Sequence, residues 1–161
     1  IWQSLAERSD AMGLKIPTPA TVTSPDVHLT VDGKRIQPTS DRNGRYVFMV
    51  PAGATAVSLD SRFCIPADKM IPGMRDTRRL GLSVDWMAIR TATTETILAA
   101  DHPALTAGWH DIERDNGTMW RWTDGSATIP WTNVQGSAVL TIKCKPVAQY
   151  PIYDEKLRLV A

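Results

Sequence analysis

The sequence predicts an all-β fold: an antiparallel β-sandwich, jelly-roll or immunoglobulin-like in style, with one short N-terminal helix. Three observations carry this. Many segments of four to ten residues alternate apolar and polar side chains with period two. Turn signals such as Asp32-Gly33, Pro51-Ala52-Gly53 and Asp124-Gly125 punctuate them. Only one segment has helical periodicity, a pattern that favours sheets packed on sheets. The 161 residues suit one domain with a sizeable core. The expected division is residues 1–25, a helix and Pro-rich linker, followed by a sandwich over 26–161.

In residues 1–12, Trp2, Leu5, Ala6 and Met12 recur near the 3.6-residue repeat, and Gly13 suits the position just past a helix end. Pro17, Pro19 and Pro25 exclude helix from 15–25 and favour an extended connector. Val27, Leu29 and Val31 alternate with His28 and Thr30. Asp32-Gly33 then supplies a two-residue turn, and 34–37 returns antiparallel. Residues 38–44 read as a polar loop, 45–50 as an aromatic and β-branched strand, and 56–61 as another strand. Residues 66–79 read as a long loop.

In 80–89, Leu80, Leu82, Val84 and Trp86 are expected on one face, with Gly81, Ser83, Asp85 and Met87 on the other. Strands are also expected at 95–99, 119–123, 127–131 and 138–144, the last with Ala138, Leu140, Ile142 and Cys144 on one face. Leu157 and Leu159 alternate with Lys156 and Arg158, a pattern fit for a charged edge strand.

The formal charge of +1 lacks the basic excess that nucleic acid requires. No apolar run approaches the ~20 residues needed to cross a bilayer, so no membrane insertion is expected. The chain begins at Ile1 rather than Met, and an upstream domain of the same protein is expected. Cys64 and Cys144 match neither zinc nor redox spacing. Two buried thiols are the simple reading, and a disulfide remains open.

Motifs for metalloprotease, nucleophile elbow, phosphate loop and dinucleotide fold are all missing, so neither enzyme activity nor a cofactor is expected. His28, His102 and His110 are far apart in sequence. Asp111, Glu113 and Asp115 would share a face of an extended strand, but alternating acids are more often a solvated face than a cation site, and no metal is expected.

The distinctive stretch is 108–131, which holds four of the six tryptophans. Trp120 and Trp122 must share one face of a strand, with Arg121 on the other, and Asp124-Gly125 reads as the hairpin turn that follows. Turned inward, these indoles anchor a core; turned outward, they form a platform for sugar rings or a partner protein. The alternation leaves both open. Trp109, His110, Trp120, Arg121 and Trp122 are the candidate ligand-binding residues.

The ordered series Asp32-Gly33-Lys34-Arg35-Ile36, Gly44-Arg45-Tyr46-Val47-Phe48, Pro51-Ala52-Gly53, Arg78-Arg79-Leu80-Gly81, then Gly108-Trp109-His110 through Arg121-Trp122-Thr123-Asp124-Gly125 resembles the β-rich region that accompanies bacterial Hint (hedgehog/intein) domains. The likeness spans most of the chain. Its last portion also resembles β-modules attached to bacterial polysaccharide-related proteins, including some glycosyltransferases. The resemblance implies a companion domain without self-splicing chemistry. The expected function is a non-enzymatic interaction module for surface polysaccharide or another surface protein, in an extracellular or cell-surface setting. The alternative is a purely structural companion of an upstream Hint or surface domain.

Overall fold

The computed structural model describes residue 8 and residues 11–13, 20–69 and 73–153. The expected helix over 1–12 lies largely outside these residues, as do the first half of the linker and the C-terminal segment carrying Leu157 and Leu159. The described chain is all-β with antiparallel pairing throughout. Its strands are β1 (Thr21–Val22), β2 (His28–Val31), β3 (Lys34–Ile36), β4 (Ser40–Arg42), β5 (Arg45–Val50), β6 (Val57–Asp60) and β7 (Leu82–Arg90). After these come β8 (Glu95–Ala99), β9 (Trp109–Asp115), β10 (Thr118–Thr123), β11 (Ser126–Ile129), β12 (Ala138–Pro146) and β13 (Tyr150–Pro151).

A seven-stranded sheet runs β4-β5-β12-β7-β10-β9, with β8 also on β7. A four-stranded sheet runs β11-β6-β2-β3, and β1 pairs with β13. Residues 21–22, expected in a connector, are therefore part of a short ladder. One apolar cluster takes Leu29, Val31, Leu59 and Ile129 from the smaller sheet and Phe48, Leu82, Leu140 and Ile142 from the larger. Val27, Leu29, Val31, Leu82, Val84, Leu140 and Ile142, alternating positions expected inward, are all buried.

Three two-residue turns have both residues at positive φ: Asp32-Gly33, Asn43-Gly44 and Asn116-Gly117. They join β2 to β3, β4 to β5 and β9 to β10, as turns that match strand twist should. The second overturns the polar-loop reading of 38–44, where Asn-Gly between extended segments was the available signal. The Asp32 carboxylate also accepts from the Thr55 hydroxyl and the Thr55 and Ala56 N–H groups, fastening the β5–β6 connection to the first turn. Those bonds, the Thr55 hydroxyl foremost, hold its carboxyl below the usual range. Asp124-Gly125 is different. Gly125 has φ 105°, but the chain there crosses from β10 in the larger sheet to β11 in the smaller one, and makes no hairpin.

A second correction concerns β7. Cys144 and Lys143, adjacent on β12, stand opposite Val84 and Trp86, so Asp85 is an extra residue. Such a bulge reverses the side chains beyond it. Leu82 and Val84 point inward as expected. After Asp85 the inward residues are Met87 and Ile89, and Trp86 belongs to the outer face.

Both thiols are free and buried, Cys64 at 1% and Cys144 at 0% exposure. Burial pushes Cys144 up to about 12 and raises Cys64 as well. Little thiolate then exists near neutrality. Neither thiol is expected to react with an aromatic disulfide reagent at pH 8 until the protein is unfolded; rapid native labelling of either would contradict this placement.

Candidate functional site

Cross-strand pairing divides the five candidate residues between two faces of the larger sheet. Arg121 stands opposite Val84 on one side and Ile112 on the other, and Thr123 stands opposite Trp109. Those positions face inward. Trp122 stands opposite Ser83, and Trp120 opposite Glu113, on the outer face. Arg121 and the Trp120/Trp122 pair are therefore separated by the sheet. His110 lies in a second bulge, since β9 spends three steps between Trp109 and Ile112 while β10 spends two between Thr123 and Arg121.

Inside, Trp109 is 8% exposed and its indole Nε1 donates to the Thr128 carbonyl at 2.8 Å, tying β9 to β11 of the other sheet. Arg121 Nε donates to the His110 carbonyl. Its charge faces neither Glu113 nor Asp124 in an ion pair among the described residues. Trp131, 9% exposed, belongs to the same apolar cluster. These residues hold the fold together.

On the outer side, Trp120 donates from Nε1 to Glu113 Oε2 at 3.1 Å, and Glu113 Oε1 accepts from Arg78 at 2.9 Å. Arg78 also clasps Asp76 through two nitrogens, at 3.0 and 2.7 Å. The Arg78 hydrogen bonds hold the Asp76 carboxyl below its usual range, and Asp76 in turn raises the guanidinium. His110 Nε2 sits 2.6 Å from the Arg79 carbonyl. The chain Asp76–Arg78–Glu113 thus fixes the polar edge of Trp120 and leaves its ring part-exposed. Sequence reading missed Arg78, because only the folded loop brings it to β9.

Among the described residues no three His, Cys, Asp or Glu side chains gather as a metal site. Within the row expected to be solvated, Glu113 has both oxygens engaged. No family model, curated protein or solved structure matches this chain. The site must be read from its own geometry.

The outer face also contains Trp86, opposite Lys143 on β12 and Ala99 on β8. The next row is Val47, Thr141, Ala88 and Ile97. Beyond it come Met49, Val139 and Arg90. Met49 and Ile97 are 52% and 55% exposed, so this part of the face is open to solvent. Trp86, Trp120 and Trp122 are each part-exposed. An outer face carrying three part-exposed indoles, hydroxyls and cations offers stacking surface and hydrogen bonds together. A shallow cleft of about 430 Å³ lies on the smaller sheet beside Thr30, Ser58, Thr128 and Trp131.

Proposed function

We propose that this domain is a non-enzymatic recognition module that binds surface polysaccharide on the outer face of its larger sheet. Trp86, Trp120 and Trp122 would stack on sugar rings, with neighbouring polar groups meeting the hydroxyls. The single observation that supports this most is that three part-exposed indoles share one sheet face. Exposed aromatic surface beside polar groups is a common mark of ligand recognition. In the same reading the domain is a β-sandwich, of jelly-roll or immunoglobulin-like style. One apolar cluster fed by both sheets supports that assignment.

A purely structural companion of a Hint or surface domain is the second reading, favoured by the burial of Trp109 and Trp131 and the inward turn of Arg121. Titration against a broad panel of polysaccharides, followed by tryptophan fluorescence, separates the two. Trp120→Ala and Trp122→Ala are expected to weaken glycan binding at least tenfold while the circular dichroism spectrum stays parental. If the parent binds no glycan and both substitutions sharply lower the melting temperature, the companion reading replaces the recognition one.

A further inference from the structure

We propose that Arg42, Arg45 and Lys143, in line with Trp86, form a binding site for the acidic groups of a polysaccharide. The inference takes its ligand class from the carbohydrate reading above and adds the charge of the ligand. The Asn43-Gly44 turn, with two positive φ values, sets Arg42 directly opposite Arg45. Arg45 is in turn opposite Lys143, and Lys143 opposite Trp86. Directly opposed residues share a face with Cβ atoms ~4.5–5.5 Å apart. Four adjacent strands therefore present three cations and an indole in one row.

Like charges directly opposed across strands repel. Among the described residues, none of the three is in an ion pair with a carboxylate. Asp41, the acid in the same hairpin, stands opposite Tyr46 on the other face. The cations are held by other means. Lys143 Nζ donates to the Asn43 carbonyl at 2.6 Å, and the Arg45 guanidinium lies 5.6 Å from the centroid of the Trp86 ring.

Between them is an open cleft of about 450 Å³, lined by Ser40, Arg42, Asn43, Arg45, Val47 and Lys143, with no carboxylate. Gly44 fixes its end, since a Cβ there would sit 2.8 Å from the Cys144 carbonyl oxygen. Guanidinium groups bind carboxylate or sulfate with paired donors. With strands ~4.8 Å apart, the row extends on the order of 14 Å, which suits successive units of a polymer better than one small ion. Trp86 at its end offers the adjoining sugar ring an apolar face.

The test is calorimetric titration of the full chain with polygalacturonate fragments and dextran sulfate fragments, with unmodified dextran and double-stranded DNA alongside. At least one acidic glycan is expected to bind, more weakly as sodium chloride rises, and whichever arm binds identifies carboxylate or sulfate. Arg42→Glu, and the milder Arg42→Gln should the first fail to fold, are expected to weaken that binding at least tenfold and fivefold respectively. Lys34→Glu makes the same charge change as Arg42→Glu on the smaller sheet and is expected to stay within twofold of the parent. The proposal is overturned if neither acidic glycan binds, if Lys34→Glu weakens binding as much as Arg42→Glu, or if DNA binds as tightly as the glycans. Neutral glycan binding that depends on Trp120 would survive the first of these outcomes. Acidic glycan binding that ignores Trp120→Ala and Trp122→Ala would remove those two stacking contacts but leave the cation row standing.

Discussion

Gly108→Ala is expected to destabilise the domain by about 2–5 kcal/mol, combining a left-handed backbone penalty of roughly 1–2 kcal/mol with overpacking of roughly 1–3 kcal/mol. For a domain of this size that lowers the melting temperature on the order of 10 °C. Gly108 has φ 80°, and a Cβ added there would lie 2.0 Å from the Ser126 carbonyl oxygen and 2.6 Å from the Ala127 Cα. Both are backbone atoms of β11, so no side-chain rotation relieves the contact. The same junction holds the two sheets in register: Asp124 N–H donates to the Gly108 carbonyl, Thr128 N–H to the Ala107 carbonyl, and the Trp109 indole to the Thr128 carbonyl. Gly117→Ala supplies the comparison, because Gly117 has φ 77° with nothing within 4 Å of the added Cβ. It is expected to cost only the backbone penalty, roughly 1–2 kcal/mol. Equal melting temperatures for the two variants would show that close approach to β11 contributes nothing.

The strands and core were legible in the sequence because their signal is local. Val27, Leu29 and Val31, or Leu140 and Ile142, need only period two to be placed inward, and Asp32-Gly33 needs only its own φ values to be a turn. The functional face was harder to read for two physical reasons. A bulge adds one residue without altering composition, so Asp85 moved Trp86 to the outer face while the alternation of Leu80, Leu82 and Val84 pointed it inward. Cation rows depend on register between strands far apart in sequence: Arg45 and Lys143 meet only because β5 pairs with β12. The tryptophans of 108–131 drew the site to one short segment, and the sheet then separated Arg121 and Trp109 from Trp120 and Trp122. Asn43-Gly44 is a local signal as well, and a two-residue hairpin there places Arg42 opposite Arg45 from the sequence alone.

Deleting Ala88 is expected to cost at least roughly 1.5–3 kcal/mol, whereas deleting Asp85 is expected to stay within about 1 kcal/mol of the parent. Val84 and Trp86 stand opposite Cys144 and Lys143, which are already adjacent on β12, so the loss of Asp85 closes the bulge and leaves a regular ladder. Leu82, Val84, Met87 and Ile89, now 0%, 1%, 0% and 4% exposed, all keep their inward places. Ala88 lies beyond the bulge, in the regular ladder opposite Thr141 and Ile97. Without it, a β7 that keeps the register of 82–87 turns Ile89 to solvent and drives Arg90 toward the core. A β7 that keeps the register of 89–90 uses the spare residue instead, and then Met87 turns to solvent while Trp86 is driven inward. Either way at least one buried apolar side chain is lost from the core, at roughly 1.5–3 kcal/mol. Chemical denaturation compares the three proteins, and an Asp85 deletion as costly as the Ala88 deletion would sink the bulge assignment. Acidic glycan binding is expected to survive the Asp85 deletion, because Trp86 stays opposite Lys143 at the end of the cation row. The aim of Trp86 depends on that pairing, and only weakly on which residue fills the bulge.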